Sequence, residues 1–113
     1  MTLPHPMQEE LAELVARRFR LLAEPMRIRL LDHLRDGEAT VGELSLALAA
    51  SQQNVSKHLG VLAEAGLVGR RKEGNHVYYR IVDESVFTLC EQVCDAVQQQ
   101  LRALQILVEG VSA

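Results

Sequence analysis

No uninterrupted apolar stretch in this chain approaches the ~20 residues that a membrane helix needs, so a helical membrane span is not expected. Only two cysteines are present among 113 residues, too few for a disulfide scaffold, and they are expected to be reduced thiols. Glycine and proline are sparse, at 7 and 3 residues, while apolar residues make up 48% and charged residues 24%. That balance excludes a disordered or low-complexity chain and fits one globular domain with a modest core. The opening MTLPHPMQEE lacks the basic-then-apolar order of a secretion signal, which makes the cytoplasm the expected compartment. Motifs of catalysis are missing as well. There is no Gly-rich phosphate loop, no Gly-x-Ser-x-Gly elbow and no His-Glu-x-x-His, so enzymatic activity is not expected.

The chain is rich in helix punctuation. Residues 1–6 hold two prolines and read as a loose arm. Residues 7–22 place Met7, Leu11, Leu14, Val15, Phe19 and Leu22 on one helical face, with Glu9, Glu10 and Glu13 early and Arg17, Arg18 and Arg20 late, as the helix dipole favours. Pro25 suits the first position of a second helix, which carries Ile28, Leu31 and Leu34 on one side and stops at Gly37. Thr40-Val-Gly-Glu43 is a capping-box signature, opening a helix whose Val41, Leu44 and Leu48 face inward. Ser51 caps the next helix, with Val55, Leu59, Leu62 and Ala63 as its apolar set and Gly66 at the left-handed position beyond its end.

Two β-prone runs follow, 67–72 and 76–81, flanking Glu73-Gly74-Asn75 as a hairpin connection. Tyr78 and Tyr79 point to opposite faces, so one is expected in the core and one nearer solvent. A final helix over about 84–108 carries Val86, Cys90, Val93, Val97, Leu101, Leu104 and Val108 at steps of three and four. A stripe of that length exceeds what a one-domain core covers and suggests pairing with a helix of a second subunit.

The expected fold is therefore mainly α with a small β-hairpin wing: a winged helix-turn-helix of about five helices and a two-stranded antiparallel wing. Residues 7–108 form the domain, residues 1–6 the arm and 109–113 a C-terminal tail. In such a fold the start of the second helix of the helix-turn-helix enters the major groove. In this chain that segment offers Ser51, Gln52, Gln53, Asn54, Ser56, Lys57 and His58, amides and hydroxyls suited to base edges and a cation suited to phosphate. Arg70, Arg71, Lys72, Asn75, His76 and Arg80 lie on or beside the wing, in reach of phosphates or the minor groove, or else serve as a charged edge that resists aggregation. Charge is distributed to match. Residues 51–80 hold five basic residues against Glu64 and Glu73, a net of +3, while the remainder holds seven basic against thirteen acidic, a net of −6. Double-stranded DNA is the expected partner, with a winged helix that binds protein as the rival reading.

The stretches EPMRIRLLDHL, SQQNVSKHLGVLAEAGLV and RRKEGNHVYYRI resemble the ArsR/SmtB family of winged-helix repressors, over roughly residues 8–100. The resemblance implies a homodimer built from the first and last helices, about 7–22 and 84–108. It also implies an imperfect palindrome as operator, and repression relieved by an inducer such as a metal, a metalloid, reactive sulfur or an oxidant. Two family metal sites are lost in this chain. The segment matching a family cysteine pair reads Glu43-Leu44-Ser45-Leu46-Ala47, without sulfur. The positions matching a zinc site on the last helix are Asp83, Ser85, Ala96 and Gln99, of which only Asp83 is a good ligand.

What remains is Cys90-Glu91-Gln92-Val93-Cys94. An i, i+4 spacing puts both thiols on one helical face, about 6 Å apart at Cβ. Soft ions prefer thiolates, so As(III), Cd(II) or Pb(II) is one expectation for an inducer. Thiol oxidation or persulfide sensing is a second, and plain packing of two small apolar side chains is a third.

Overall fold

The computed structural model describes residues 3–112; the first two residues of the expected arm and the last residue of the expected tail lie outside it. The elements run α1 (Glu9–Leu22), α2 (Pro25–Leu34), β1 (Ala39–Thr40), α3 (Val41–Leu48), α4 (Gln52–Glu64), β2 (Val68–Glu73), β3 (His76–Ile81) and α5 (Ser85–Ser112). They fall into two units, one ending at Val82 and one starting at Asp83. No helix among the described residues is long and apolar enough to cross a membrane.

In the first unit α2 is the central helix, in contact with α1, α3, α4 and β3. Enclosure on several sides explains why Leu30, Leu31 and Leu34 are all buried. Ile28, expected inside, is exposed, and Leu30 takes its place in the core. Leu44 of α3, Val55, Leu59 and Leu62 of α4, and Leu67 and Val68 complete that core.

Local chemistry fixes the helix ends. Thr40 Oγ1 accepts from the Glu43 backbone N–H at 3.1 Å and the Glu43 carboxylate accepts from the Thr40 N–H at 3.1 Å, so both halves of the capping box form. α3 ends at Ala49 in the left-handed region (φ 52), and the chain turns within three residues into α4. Ser51 caps α4, its Oγ accepting from the Asn54 N–H at 3.1 Å. Gly66 leaves α4 with φ +81, a conformation that side chains disfavour.

The sheet has three antiparallel strands in the order β1-β3-β2, one more than the expected two-stranded wing. Ala39 pairs with Tyr79 and Thr40 with Tyr78, so β1 adds a short third strand beside β3. Two residues carry no periodicity, and the pairing spans almost forty positions, which is why the sequence pattern does not reveal it. Across β2 and β3, Glu73 opposes His76, leaving Gly74 (φ +60) and Asn75 as the turn. Tyr79 is buried and Tyr78 half-buried, as alternation requires.

The second unit is the single helix α5, 28 residues long. It continues through Ser112, so residues 109–112 are helical where a tail was expected. Asp83 caps it, its carboxylate accepting from the Ser85 N–H at 3.0 Å. Val93, Val97, Leu101 and Leu104 stay between 47% and 60% exposed, a continuous apolar stripe on the helix surface.

Candidate nucleic-acid interface

Helix α4 separates its two tasks by face. Val55, Leu59 and Leu62 point into the core, while Ser51, Gln52, Gln53, Ser56 and Lys57 are exposed and Asn54 is half-buried. Ser51, Gln53, Asn54 and Lys57 line one shallow depression at the start of the helix. A neutral amide, a hydroxyl and an ammonium group on one surface can donate to and accept from a base edge while neutralising phosphate. The Ser51 hydroxyl oxygen is occupied as the cap but still carries a proton to donate.

His58 corrects the expectation drawn from sequence. It is 7% exposed, and its Nδ1 accepts a hydrogen bond from Arg27 Nε at 3.1 Å. Burial, then the Arg27 charge, pushes its pKa below the ordinary 6.5, with Glu24 acting in the opposite sense. The ring therefore belongs to the seam between α2 and α4 and not to the reading surface. Its spacing carried the signal: position 58 lies three after Val55 and four before Leu62, on the apolar stripe. The polar identity of the residue masked that position.

The wing also divides its cations. Directly opposed residues share a face of the sheet, so Arg71, Tyr78 and Thr40 lie on one side and Arg70, Tyr79 and Ala39 on the other. Arg71 is held by two carboxylates: its Nε and Nη2 both donate to Glu38, and its Nη1 donates to Glu73 at 2.7 Å. Its guanidinium also sits 4.8 Å from the Tyr78 ring centroid. Glu38, in turn, has its pKa lowered, first by the hydrogen bond from Arg71. Arg71, expected to contact phosphate, is thus engaged by Glu38 and Glu73 while its side chain stays 41% exposed. Arg70, Lys72, Asn75, His76 and Arg80 are all exposed on the wing. Glu38 and Arg27 carry no local signal of these roles, because each partner lies more than thirty positions away.

Cys90 is half-buried and Cys94 exposed, both as free thiols. Burial raises the pKa of Cys90, which disfavours its thiolate. Among the described residues no group of three or more His, Cys, Asp or Glu side chains is placed to hold a metal ion.

Comparison with known proteins agrees with this geometry. A helix-turn-helix domain family matches residues 22–71, from the end of α1 into the wing. The chain is 35% identical over 96 residues to a transcriptional repressor SmtB homolog of Synechocystis, covering 85% of this chain and 73% of the relative. Among solved structures it superposes on the antimony-specific transcriptional repressor AntR with a TM-score of 0.78 at 29% identity, covering 90% of this chain and 93% of that one. It also superposes on the homodimeric winged helix-turn-helix DNA-binding domain of a possible ArsR-family transcriptional regulator from Mycobacterium bovis. There the TM-score is 0.72 at 33% identity, with 89% and 94% covered. With a helix-turn-helix whose polar face is open, a cationic wing and relatives of this kind, the chain belongs to the ArsR/SmtB family of DNA-binding transcriptional repressors.

Proposed function

We propose that the protein acts as a homodimer on an imperfect palindrome and leaves it when a thiol-binding effector engages Cys90 and Cys94. The observation that carries the first half is the exposed apolar stripe Val93, Val97, Leu101 and Leu104 on α5, together with Leu11, Leu14 and Phe19 exposed on α1. Apolar surface of this extent on two helices favours burial against a second copy. The homodimeric Mycobacterium bovis domain supports the same reading. Two reading helices related by a two-fold axis fit half-sites about 34–36 Å apart. Ser51, Gln52, Gln53, Asn54, Ser56 and Lys57 then supply the groove contacts, and Arg70, Lys72, Asn75, His76 and Arg80 the flanking phosphate and minor-groove contacts.

Cys90 and Cys94 are the candidate effector site. Their i, i+4 spacing offers two sulfurs on one face of a helix, and the exposed Cys94 gives access from solvent. Thiolates favour As(III), Cd(II) and Pb(II), and the likeness to an antimony-specific repressor favours a metalloid. Two sulfurs leave a three-coordinate metalloid one donor short, to be supplied by a small thiol or by the second subunit. A change at α5 would shift the dimer interface and hence the separation of the two reading helices. Tenfold release needs only about 1.4 kcal/mol of differential binding.

The exposure of Cys94 also admits one alternative, sensing by thiol oxidation. A disulfide within one helix would demand Cβ atoms near ~3.8 Å, so oxidation would proceed through a polysulfide or an intersubunit bridge. Release of bound duplex titrated with arsenite, antimonite, cadmium and inorganic polysulfide separates the readings. Arsenite or antimonite release that is lost in Cys90→Ser and Cys94→Ser supports the metalloid site. Release by polysulfide alone supports oxidation. Unchanged behaviour of both variants with every effector removes the cysteines from the switch.

A further inference from the structure

One guanidinium joins three helices of the first unit. Arg27 lies in the first turn of α2. Its Nε donates to His58 Nδ1 of α4 at 3.1 Å, and its Nη1 donates to the backbone carbonyl of Leu21 at 3.1 Å. Leu21 sits in the last turn of α1, where carbonyls have no partner within their own helix. Arg27 therefore closes the end of α1 and, from the same side chain, holds the inner face of α4. His58 is the buried polar residue of the described core, and it is flanked on α4 by the exposed Lys57.

The bond has a defined proton count. An arginine can only donate, so His58 Nδ1 must be an acceptor, and the proton of the neutral ring resides on Nε2. Protonating the ring turns Nδ1 into a donor facing a donor. It also sets two positive charges in contact within a buried seam. The charged groups that act on the ring are Arg27 of α2 and Lys57 of α4, both opposing protonation, and Glu24 at the start of α2, favouring it. Two cations and burial outweigh one carboxylate, so the neutral, clasped form is the resting form.

We propose that Arg27 and His58 are positioning residues for DNA reading: their clasp sets α4 against α1 and α2, and protonation of His58 opens it and weakens duplex binding. The inference rests on the DNA-reading role given to α4 and adds a proton-sensitive support beneath it. Acidification is then an input that acts on the reading helix without touching Cys90 or Cys94.

The test uses the full-length chain and a duplex enriched from random-sequence DNA by that chain at neutral pH. Affinity is measured at fixed ionic strength between about pH 7.5 and about pH 5. His58→Asn places an amide oxygen where Nδ1 stood, so it still accepts from Arg27 but does not titrate. The other three histidines, His5, His33 and His76, are the same in both proteins, so the difference between the two pH profiles isolates His58. The expected result is a loss of about tenfold more affinity in the parent than in the variant over this range. Arg27→Gln is expected to weaken binding at neutral pH and to remove most of the pH dependence, while circular dichroism stays that of a folded protein. Parallel profiles for parent and His58→Asn overturn the clasp but leave the DNA-reading role intact. A parent that enriches no duplex at neutral pH overturns the DNA-reading role, and this inference with it.

Discussion

Arg71 and Glu38 form a two-point ion pair between the first wing strand and the residue that precedes β1, with Nε and Nη2 of the guanidinium each donating to one carboxylate oxygen. The pair lies on the same sheet face as Tyr78, over which Arg71 sits. Two neighbouring arginines of identical chemistry thereby receive different surroundings, because strand alternation turns only Arg71 towards Glu38 and Tyr78. Arg71 braces the wing, while Arg70 is exposed and is the one proposed to meet phosphate.

This division predicts an asymmetry between adjacent substitutions. Arg70→Ala and Lys72→Ala should each weaken duplex binding on all sequences and flatten the log–log salt dependence by about 0.9 per lost phosphate contact. Arg71→Ala should change the salt slope much less, because its charge is already neutralised by two carboxylates. Fluorescence anisotropy against a labelled duplex at a series of salt concentrations gives the comparison. Equal slopes for Arg70→Ala and Arg71→Ala would contradict the assignment.

Acid should loosen the first unit in two steps of the same sign. His58 has a folded pKa below its ordinary 6.5, so the unfolded chain binds its proton first. Its stabilising contribution is present above 6.5 and is lost as pH falls through the lowered folded value. Glu38 has a folded pKa below its ordinary 4.5, so its contribution is present above 4.5 and is lost lower still. The melting temperature should therefore fall from neutral towards about pH 5, and less so in His58→Asn. Glu38→Gln should remove part of the further fall at lower pH. A melting temperature that rises on acidification across the first interval would contradict this direction of linkage.

The helix ends make separate stability predictions. Thr40→Ala removes one half of the capping box and should cost about 1 kcal/mol in denaturant unfolding. Gly66→Ala forces a side chain to adopt φ +81 and should cost about 1–2 kcal/mol, although nothing stands within 4 Å of the added Cβ. Leu59→Ala opens the centre of the core, where the side chain is fully buried, and should cost about 2–5 kcal/mol. A Gly66→Ala variant as stable as the parent would show that the turn relaxes without strain.

Much of this arrangement is legible in the sequence because it is local. The capping box at Thr40 and Glu43, the serine cap at Ser51, the left-handed Gly66 and the hairpin around Gly74 are each written within a few residues, and each is formed. The polar tip of α4 followed from the alternation of Val55, Leu59 and Leu62 with Gln53, Ser56 and Lys57. What escaped depends on pairing across the fold. Strand β1 exists because Ala39 and Thr40 find Tyr79 and Tyr78, not because two residues prefer to be extended. Arg71 and His58 looked like DNA contacts by type, and their commitments to Glu38 and Arg27 came from distant segments. Residue type suggests binding in both cases, and the three-dimensional neighbours give each side chain a partner within the protein.

The most direct test of the central claim is the salt dependence of binding to an enriched duplex. If Lys57, Arg70, Lys72 and Arg80 of two subunits neutralise phosphates together, log affinity should fall against log salt with a slope of about −7. Gln53→Ala should relax sequence preference without changing that slope, and Lys57→Ala should reduce it. Binding that ignores salt, or a slope unchanged when all four cations are replaced, would contradict the account.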